Sequence, residues 1–248
     1  MATGVVEATK PLGPDGEPGT CLVIMAHPDD AEFTVAGTVA RWIRDGWRVI
    51  YVVCTDGSRG SNDAHMPPSR MKPIRRAEQL EAADILGVHT VVFLDYEDGT
   101  VQPTLGLRRD LTRLIRRFEP TIVISQDPSA HFHGDYINHP DHRATGEAAL
   151  HAVFPSAGTR FIFPELLEEG LEPHRVRELF LYGSPDPDVW VDITETVDLK
   201  IAALKAHRSQ VRGDLAEVWI RARAGDIGKR FGVAYAEQFN RMSLVRES

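Results

Sequence analysis

Cys21-Leu22-Val23-Ile24-Met25-Ala26-His27-Pro28-Asp29-Asp30 joins five apolar residues to a turn holding one imidazole and two carboxylates. An uninterrupted apolar run of this length reads as a strand buried on both faces, as in a parallel sheet covered by helices. Downstream, Phe33, Val35, Ala36, Val39, Ala40 and Ile43 recur at helical spacing, so the polar residues form a strand-to-helix turn. Pro28 suits a first helical turn, and carboxylates there are favoured by the helix dipole. In open α/β folds, ligands bind outside the carboxyl ends of the strands, where this turn lies.

Working outward, the same alternation repeats. Trp47–Cys54 is a second β-rich run, ended by a Gly-, Ser-, Asn- and Pro-rich loop from Thr55 to about Pro68. A helical face from Ile74 to Leu86 closes at Gly87, and Val91–Leu94 is the third strand. A helix from about Thr104 to Phe118 follows, with Leu107, Leu111, Leu114, Ile115 and Phe118 inward and Arg108, Arg109, Arg113, Arg116 and Arg117 on a solvated face. Thr121–Ser125 is the fourth strand. After the loop Gln126–Asn138, His139-Pro140-Asp141-His142 opens another helix, a second turn like the first.

Four strand-helix units predict an α/β, Rossmann-like fold: a mostly parallel sheet with helices on both faces, in a single domain. In a doubly wound sheet, strands one and four are neighbours, which places the two His-rich turns across one crevice. Residues 1–20, rich in Pro and Gly, are expected to be a flexible leader, with the domain spanning 21–248. Short β-like pieces are expected at 179–182 and 189–193, a helix from about Thr194 to His207, and further helix around 225–232.

Composition narrows the function. Lys plus Arg total 28 against 36 Asp plus Glu, a net charge of −8, which offers no field for nucleic acid or an anionic membrane. Two cysteines, Cys21 and Cys54, sit in apolar runs and read as reduced thiols in a cytoplasmic protein. No stretch reaches the roughly 20 apolar residues of a membrane helix. No G-x-G-x-x-G follows the first strand, against a dinucleotide site. A non-catalytic nucleotide- or sugar-binding module is the alternative class.

Two histidines and one carboxylate with open positions can hold catalytic zinc, and the same donors suit Fe2+ or another divalent metal. Asp29 beside Asp30, and His139 beside His142, add acid/base groups. A metal lowers the pKa of water to about 7, within reach of a carboxylate base, which favours hydrolysis. The remaining histidines, His65, His89, His151, His174 and His207, read as surface residues, while His131 and His133 could edge the pocket.

Ala26-His27-Pro28-Asp29-Asp30, Thr55-Asp56-Gly57-Ser58 and His139-Pro140-Asp141-His142-Arg143-Ala144-Thr145-Gly146 together resemble the zinc-dependent deacetylases named after the PIG-L and LmbE proteins. Weaker correspondence runs through Arg75-x-x-Glu78, Ala82-Ala83, Leu86-Gly87 and Tyr235-Ala236-Glu237-x-Phe239. The resemblance implies removal of an acetyl group from an N-acetylglucosamine-type derivative, with Zn2+ held by His27, Asp30 and His142. It implies Asp29 as general base, and His139, oriented by Asp141, as oxyanion stabiliser or acid for the amine. Arg75 and Asp98 would hold sugar hydroxyls. It further implies a small amino-sugar partner and a homo-oligomer, trimer or hexamer. A related activity in the family, amide cleavage in thiol-sugar conjugates of the mycothiol type, would use the same ligands. Ala31 before Glu32, where the motif usually has Glu at once, and Thr34-Val35-Ala36-Gly37 are departures expected to reshape the pocket floor.

Overall fold

The computed structural model describes residues 6–7 and 16–244. Most of the expected leader lies outside the described residues. The elements in chain order are β1 (Val6–Glu7), β2 (Thr20–Met25), α1 (Asp30–Thr34), α2 (Ala36–Arg44), β3 (Arg48–Thr55), α3 (Pro68–Leu86), β4 (Thr90–Tyr96), α4 (Leu105–Phe118) and β5 (Ile122–Gln126). They continue with β6 (Phe132–His133), β7 (Tyr136–Ile137), α5 (Pro140–His151), α6 (Glu165–Glu168), β8 (Glu178–Tyr182), β9 (Val189–Asp192), α7 (Val197–Lys205), α8 (Leu215–Lys229) and β10 (Ala236–Ser243).

The main sheet runs β1-β9-β10-β8-β5-β2-β3-β4, with β6 and β7 forming a separate hairpin. β2, β3, β4, β5 and β8 are parallel, and β2 pairs with both β3 and β5, for example Leu22 with Ile50 and with Val123. The first and fourth strands are therefore neighbours as expected. The carboxyl ends of β2 and β5, each leading into a His-rich turn, stand side by side.

Strand periodicity divides β2 between two cores. Cys21, Val23 and Met25 face a cluster with Val39 and Trp42 of α2, Leu86 of α3 and Ile201 and Leu204 of α7. Leu22 and Ile24 face the opposite layer, with Leu107, Leu111 and Ile115 of α4 and Ala148 and Ala149 of α5. Successive side chains of a strand point to opposite faces, so helices on both sides bury the whole run.

Four local expectations need correction. The helix expected from residue 33 to 43 is two helices, because Val35 leaves helical geometry at φ −123°, ψ 1°. Helix α1 begins at Asp30, so Pro28 precedes the turn, whereas Pro140 does occupy the first position of α5. The helix expected around residues 225–232 is α8, which ends at Lys229. Helix α8 starts earlier, at Leu215, and Ala236–Ser243 forms a strand inserted antiparallel between β8 and β9. Its polar residues conceal it: Glu237 is buried because its carboxylate accepts the Gly37 and Thr38 N–H groups of α2 at 3.1 and 2.8 Å and pairs with Lys200 at 2.5 Å. This ties the Tyr235-to-Phe239 motif to the first α/β unit.

The basic face of α4 is only partly solvated. Arg116 is 2% exposed, and its guanidinium donates to the carbonyls of Ala157, Ser156, Thr159 and Ile162. Consecutive main-chain acceptors on an irregular loop make a site that a planar multi-donor cation can satisfy. The periodicity of α4 cannot disclose that loop.

Candidate active site and metal centre

Asp29, between β2 and α1, is left-handed at φ 91°, ψ −21°. Positive φ is uncommon outside glycine, and several contacts define it here. The Asp29 N–H donates to Gln79 Oε1 at 3.0 Å, and its carbonyl accepts from Phe33 N at 3.0 Å. Arg75 donates through Nη2 to Asp29 Oδ2 at 3.1 Å and to the Pro28 carbonyl at 2.5 Å, and through Nη1 to the Gly57 carbonyl at 3.2 Å. Gly57 has φ +62°, and a Cβ there would lie 2.9 Å from Pro28 Cδ, so the Thr55–Ser58 loop can press on the turn only with glycine. Asp29 Oδ1 receives no donor from the described residues and remains for a ligand or water.

The second turn meets the first across the β2–β5 junction. His27 Nδ1 is 3.2 Å from His142 Nε2, His142 Nε2 is 3.0 Å from Asp30 Oδ1, and His27 Nδ1 is 3.6 Å from Asp30 Oδ2. Gly146 permits this approach: a Cβ there would strike the Gln126 carbonyl at the end of β5, so α5 lies directly on the strand.

The donor chemistry and spacing fit a divalent metal. Tetrahedral bonds of about 2.0–2.1 Å place neighbouring ligand atoms about 3.3 Å apart, close to the His27 Nδ1–His142 Nε2 and His142 Nε2–Asp30 Oδ1 separations, and one ligand atom from each of the three residues lies within 4.8 Å of the others. The His27 main-chain N–H donates to Asp30 Oδ2 at 2.8 Å, fixing the carboxylate with Oδ1 towards His142. On the far side of the His27 ring, Nε2 is 3.2 Å from Asp98 Oδ1 and 3.3 Å from Asp141 Oδ2. Two carboxylates at one ring nitrogen demand a proton there, which leaves the Nδ1 lone pair for a cation. A second grouping, His27, His139 and Asp141, is also compact. Two of its members are already committed: Asp141 accepts from Gly99 N at 2.7 Å and Val101 N at 3.1 Å, and His27 Nε2 faces Asp98 and Asp141, while His139 Nδ1 accepts from Asp141 N at 3.1 Å.

Electrostatics reinforce the assignment. Burial opposes the charged form of His27, but Asp141, Asp30 and Asp98 outweigh it and hold its pKa well above the usual histidine value. Burial likewise opposes ionised Asp30, yet His142 and His27 hold its carboxyl well below the usual range. Burial pushes the Asp29 carboxyl up to about 6, with Arg75 pulling it down and Asp30 pushing it up. Burial therefore supplies basicity that a neighbouring cation takes away. Burial, with His27 next, holds His139 below its ordinary value, so its neutral ring predominates.

All the expected site residues converge, but three have other contacts than expected. Arg75, 4% exposed, spends both terminal nitrogens on protein acceptors instead of facing a sugar, and its Nη1 is 3.8 Å from Asp98. Asp98 is buried against His27 and accepts from Arg59 N at 2.9 Å. Asp141 orients His139 through its main-chain N–H, while its carboxylate serves His27 and the Gly99–Val101 loop.

Three residues of the site escaped the sequence reading. Gln79, Glu32 and His207 form a buried line behind Asp29, and His207 is fully enclosed rather than on the surface. The spacing of Arg75 and Gln79, one helical turn apart, was the available signal, because such residues share a face. His131 is exposed and pairs with Arg143 at 2.5 Å; the side chain of His133 lies outside the described set.

The family model described as PIG-L, GlcNAc-PI de-N-acetylase, matches residues 22–153. The chain is similar to the diacetylchitobiose deacetylase of Thermococcus kodakarensis, with 33% identity over 219 residues, covering 87% of this chain and 80% of that protein. It is also similar to a probable N-acetyl-alpha-D-glucosaminyl L-malate deacetylase 2 of Bacillus anthracis, at 30% identity over 79% of this chain and 84% of that one. Among solved structures, N,N'-diacetylchitobiose deacetylase from Pyrococcus horikoshii in complex with its inhibitor MPG superposes with TM-score 0.84 and 35% identity, covering 90% of this chain and 84% of that chain.

Proposed function

The chain belongs to the PIG-L family of de-N-acetylases, and from its site we propose that it hydrolyses the acetamide of an N-acetylglucosamine-type derivative, using a divalent metal held by His27, Asp30 and His142. The observation that carries this reading is the compact cluster of His27, Asp30 and His142 ligand atoms, with Asp29 next to Asp30 in the same turn. Zinc is the ion the two imidazoles and one carboxylate suit best. When bound, the cation supplies Lewis acidity, polarising the amide carbonyl and easing deprotonation of a neighbouring water.

The chain's own residues do the rest. Asp29, held by Gln79 and Arg75, takes a proton from water through Oδ1, and the water oxygen adds to the amide carbon. His139 carries its proton on Nε2, because Nδ1 accepts from Asp141 N, so it donates to the developing oxyanion. Loss of such a donor commonly costs about 3–4 kcal/mol of transition-state stabilisation. As the carbon–nitrogen bond breaks, the proton that Asp29 took from water passes to the departing amine, giving acetate and a free amino sugar, while His139 keeps its Nε2 proton. Arg75, Asp98 and Asp141 act by holding Asp29 and His27.

Among the described residues no helix is long and apolar enough to cross a membrane. The two free, buried cysteines support a cytoplasmic location, and the family resemblance supports a trimer or hexamer. An acetate-release screen over N-acetylated mono- and disaccharides, run with and without a chelator, tests the function. Chelator-sensitive release, restored by Zn2+, is expected. Release indifferent to the chelator, or none from any N-acetylated sugar, would overturn the reading.

A further inference from the structure

Behind Asp29 runs a chain of buried polar groups that the reaction does not consume. Gln79 Oε1 accepts the Asp29 N–H at 3.0 Å, while Gln79 Nε2 donates to Glu32 Oε1 and Oε2 at 3.2 and 3.3 Å. Glu32 Oε2 is in turn 3.1 Å from His207 Nε2. Gln79 is 1% exposed, and Glu32 and His207 are 0% exposed. Glu32 can only accept when ionised, so the Gln79 amide cannot rotate: its NH2 must face Glu32 and its oxygen must face Asp29. The line joins three separate elements, with Glu32 on α1, Gln79 on α3 and His207 just beyond α7. It ends on a main-chain amide whose residue is left-handed.

A fully buried carboxylate, paired among the described residues only with His207, is costly, and apolar side chains of the same volume often stabilise a fold as well or better. The cost has a geometric return. If Gln79 released the Asp29 N–H, the buried amide would lose its acceptor, and the turn could relax towards ordinary negative φ. That rotation would swing the Asp29 carboxylate away from the metal ligands on either side of it.

We infer that Gln79, backed by Glu32 and His207, is a positioning residue that locks the general base in its left-handed conformation. The inference rests on the assignment of Asp29 as base. His207 lies beyond the segment matched by the family model, so the C-terminal half of the chain takes part in setting the base.

Gln79→Met retains size but neither accepts from Asp29 nor donates to Glu32. It is expected to lower kcat ten- to a hundred-fold, in the range of outer-shell losses at metal sites, while KM and metal bound per chain stay within two-fold. Amide exchange of Asp29 should accelerate at least ten-fold in the folded protein. His207→Leu added to Gln79→Met should lower kcat less than two-fold further, because residues acting as one unit are not additive. Should the Met variant fail to fold, Gln79→Asn, which withdraws the amide by one methylene, is expected to show the same split. A folded variant with kcat within two-fold of the parent, or with unchanged Asp29 exchange, would sink the inference. Absence of chelator-sensitive deacetylation in the parent would instead strike the functional reading, and the exchange measurement would still decide whether Gln79 locks the turn.

Discussion

His27 Nδ1 and His142 Nε2 stand 3.2 Å apart although 115 positions separate them in the chain. Two imidazole nitrogens at that distance cannot both present lone pairs without repulsion, so a proton or a cation must lie between them. With Asp30 Oδ1 also 3.0 Å from His142 Nε2, the site is arranged for a dication.

Removal of a ligand and removal of a donor should therefore separate cleanly. His142→Ala is expected to lose both bound metal and activity. His139→Ala should keep its metal within two-fold and lower kcat about a hundred- to a thousand-fold. Metal analysis of purified variants beside single-substrate kinetics measures both. Full metal occupancy in His142→Ala would show the ligand set to be wrong.

Asp141 tests the support of His27. Its carboxylate accepts from Gly99 N, Val101 N and His27 Nε2, all donors. Asp141→Asn turns one acceptor into a donor facing donors, and should weaken metal binding about 10–100-fold, the usual effect of losing an outer-shell partner. Competition with a chromogenic chelator reads this directly. Unchanged affinity would reduce Asp141 to a loop anchor.

Arg116 is a stability element remote from the chemistry. Arg116→Met strands buried carbonyls at residues 156–162 and should cost about 3 kcal/mol. For a domain of this size that lowers Tm by about 6–12 °C. At temperatures where the variant is folded, kcat should match the parent. A parent-like melting curve would mean that the loop finds other donors.

His207 makes stability depend on pH. Burial disfavours its charged form, but the hydrogen bond to Glu32 outweighs this and raises its pKa above the ordinary value. A histidine raised in the folded state contributes stability that is complete below its unfolded pKa of about 6.5 and lost as pH rises through the folded pKa. The parent should therefore lose Tm above about pH 6.5 more steeply than His207→Gln, by at most the one-proton limit of about 1.4 kcal/mol per pH unit. Thermal melts of both proteins from pH 6 to 9 make the comparison. Identical slopes would place the pH dependence elsewhere.

The fold was legible where a local pattern carries the physics. The apolar run at 21–25, the helical faces of α3 and α4 and the glycine and proline punctuation marked each α/β unit, and the two His-rich turns marked the site. Legibility failed where burial depends on a partner distant in sequence. Glu237 in β10, Arg116 on α4 and His207 after α7 look like surface residues. Each is enclosed because Lys200, a row of carbonyls or Glu32 meets it in space.

By itself, the sequence determined the parallel α/β architecture, the meeting of the two turns and the residue types available to a metal. Alternation and helical period are local consequences of backbone geometry, and strand order follows from them with few alternatives. Only the tertiary structure decided which atoms meet: Arg75 turned inward to Asp29, Asp98 and Asp141 set behind His27, and Gln79 accepting the Asp29 N–H. Those assignments depend on hydrogen-bond separations near 3 Å between side chains up to 175 positions apart, to which no periodicity within the chain is sensitive.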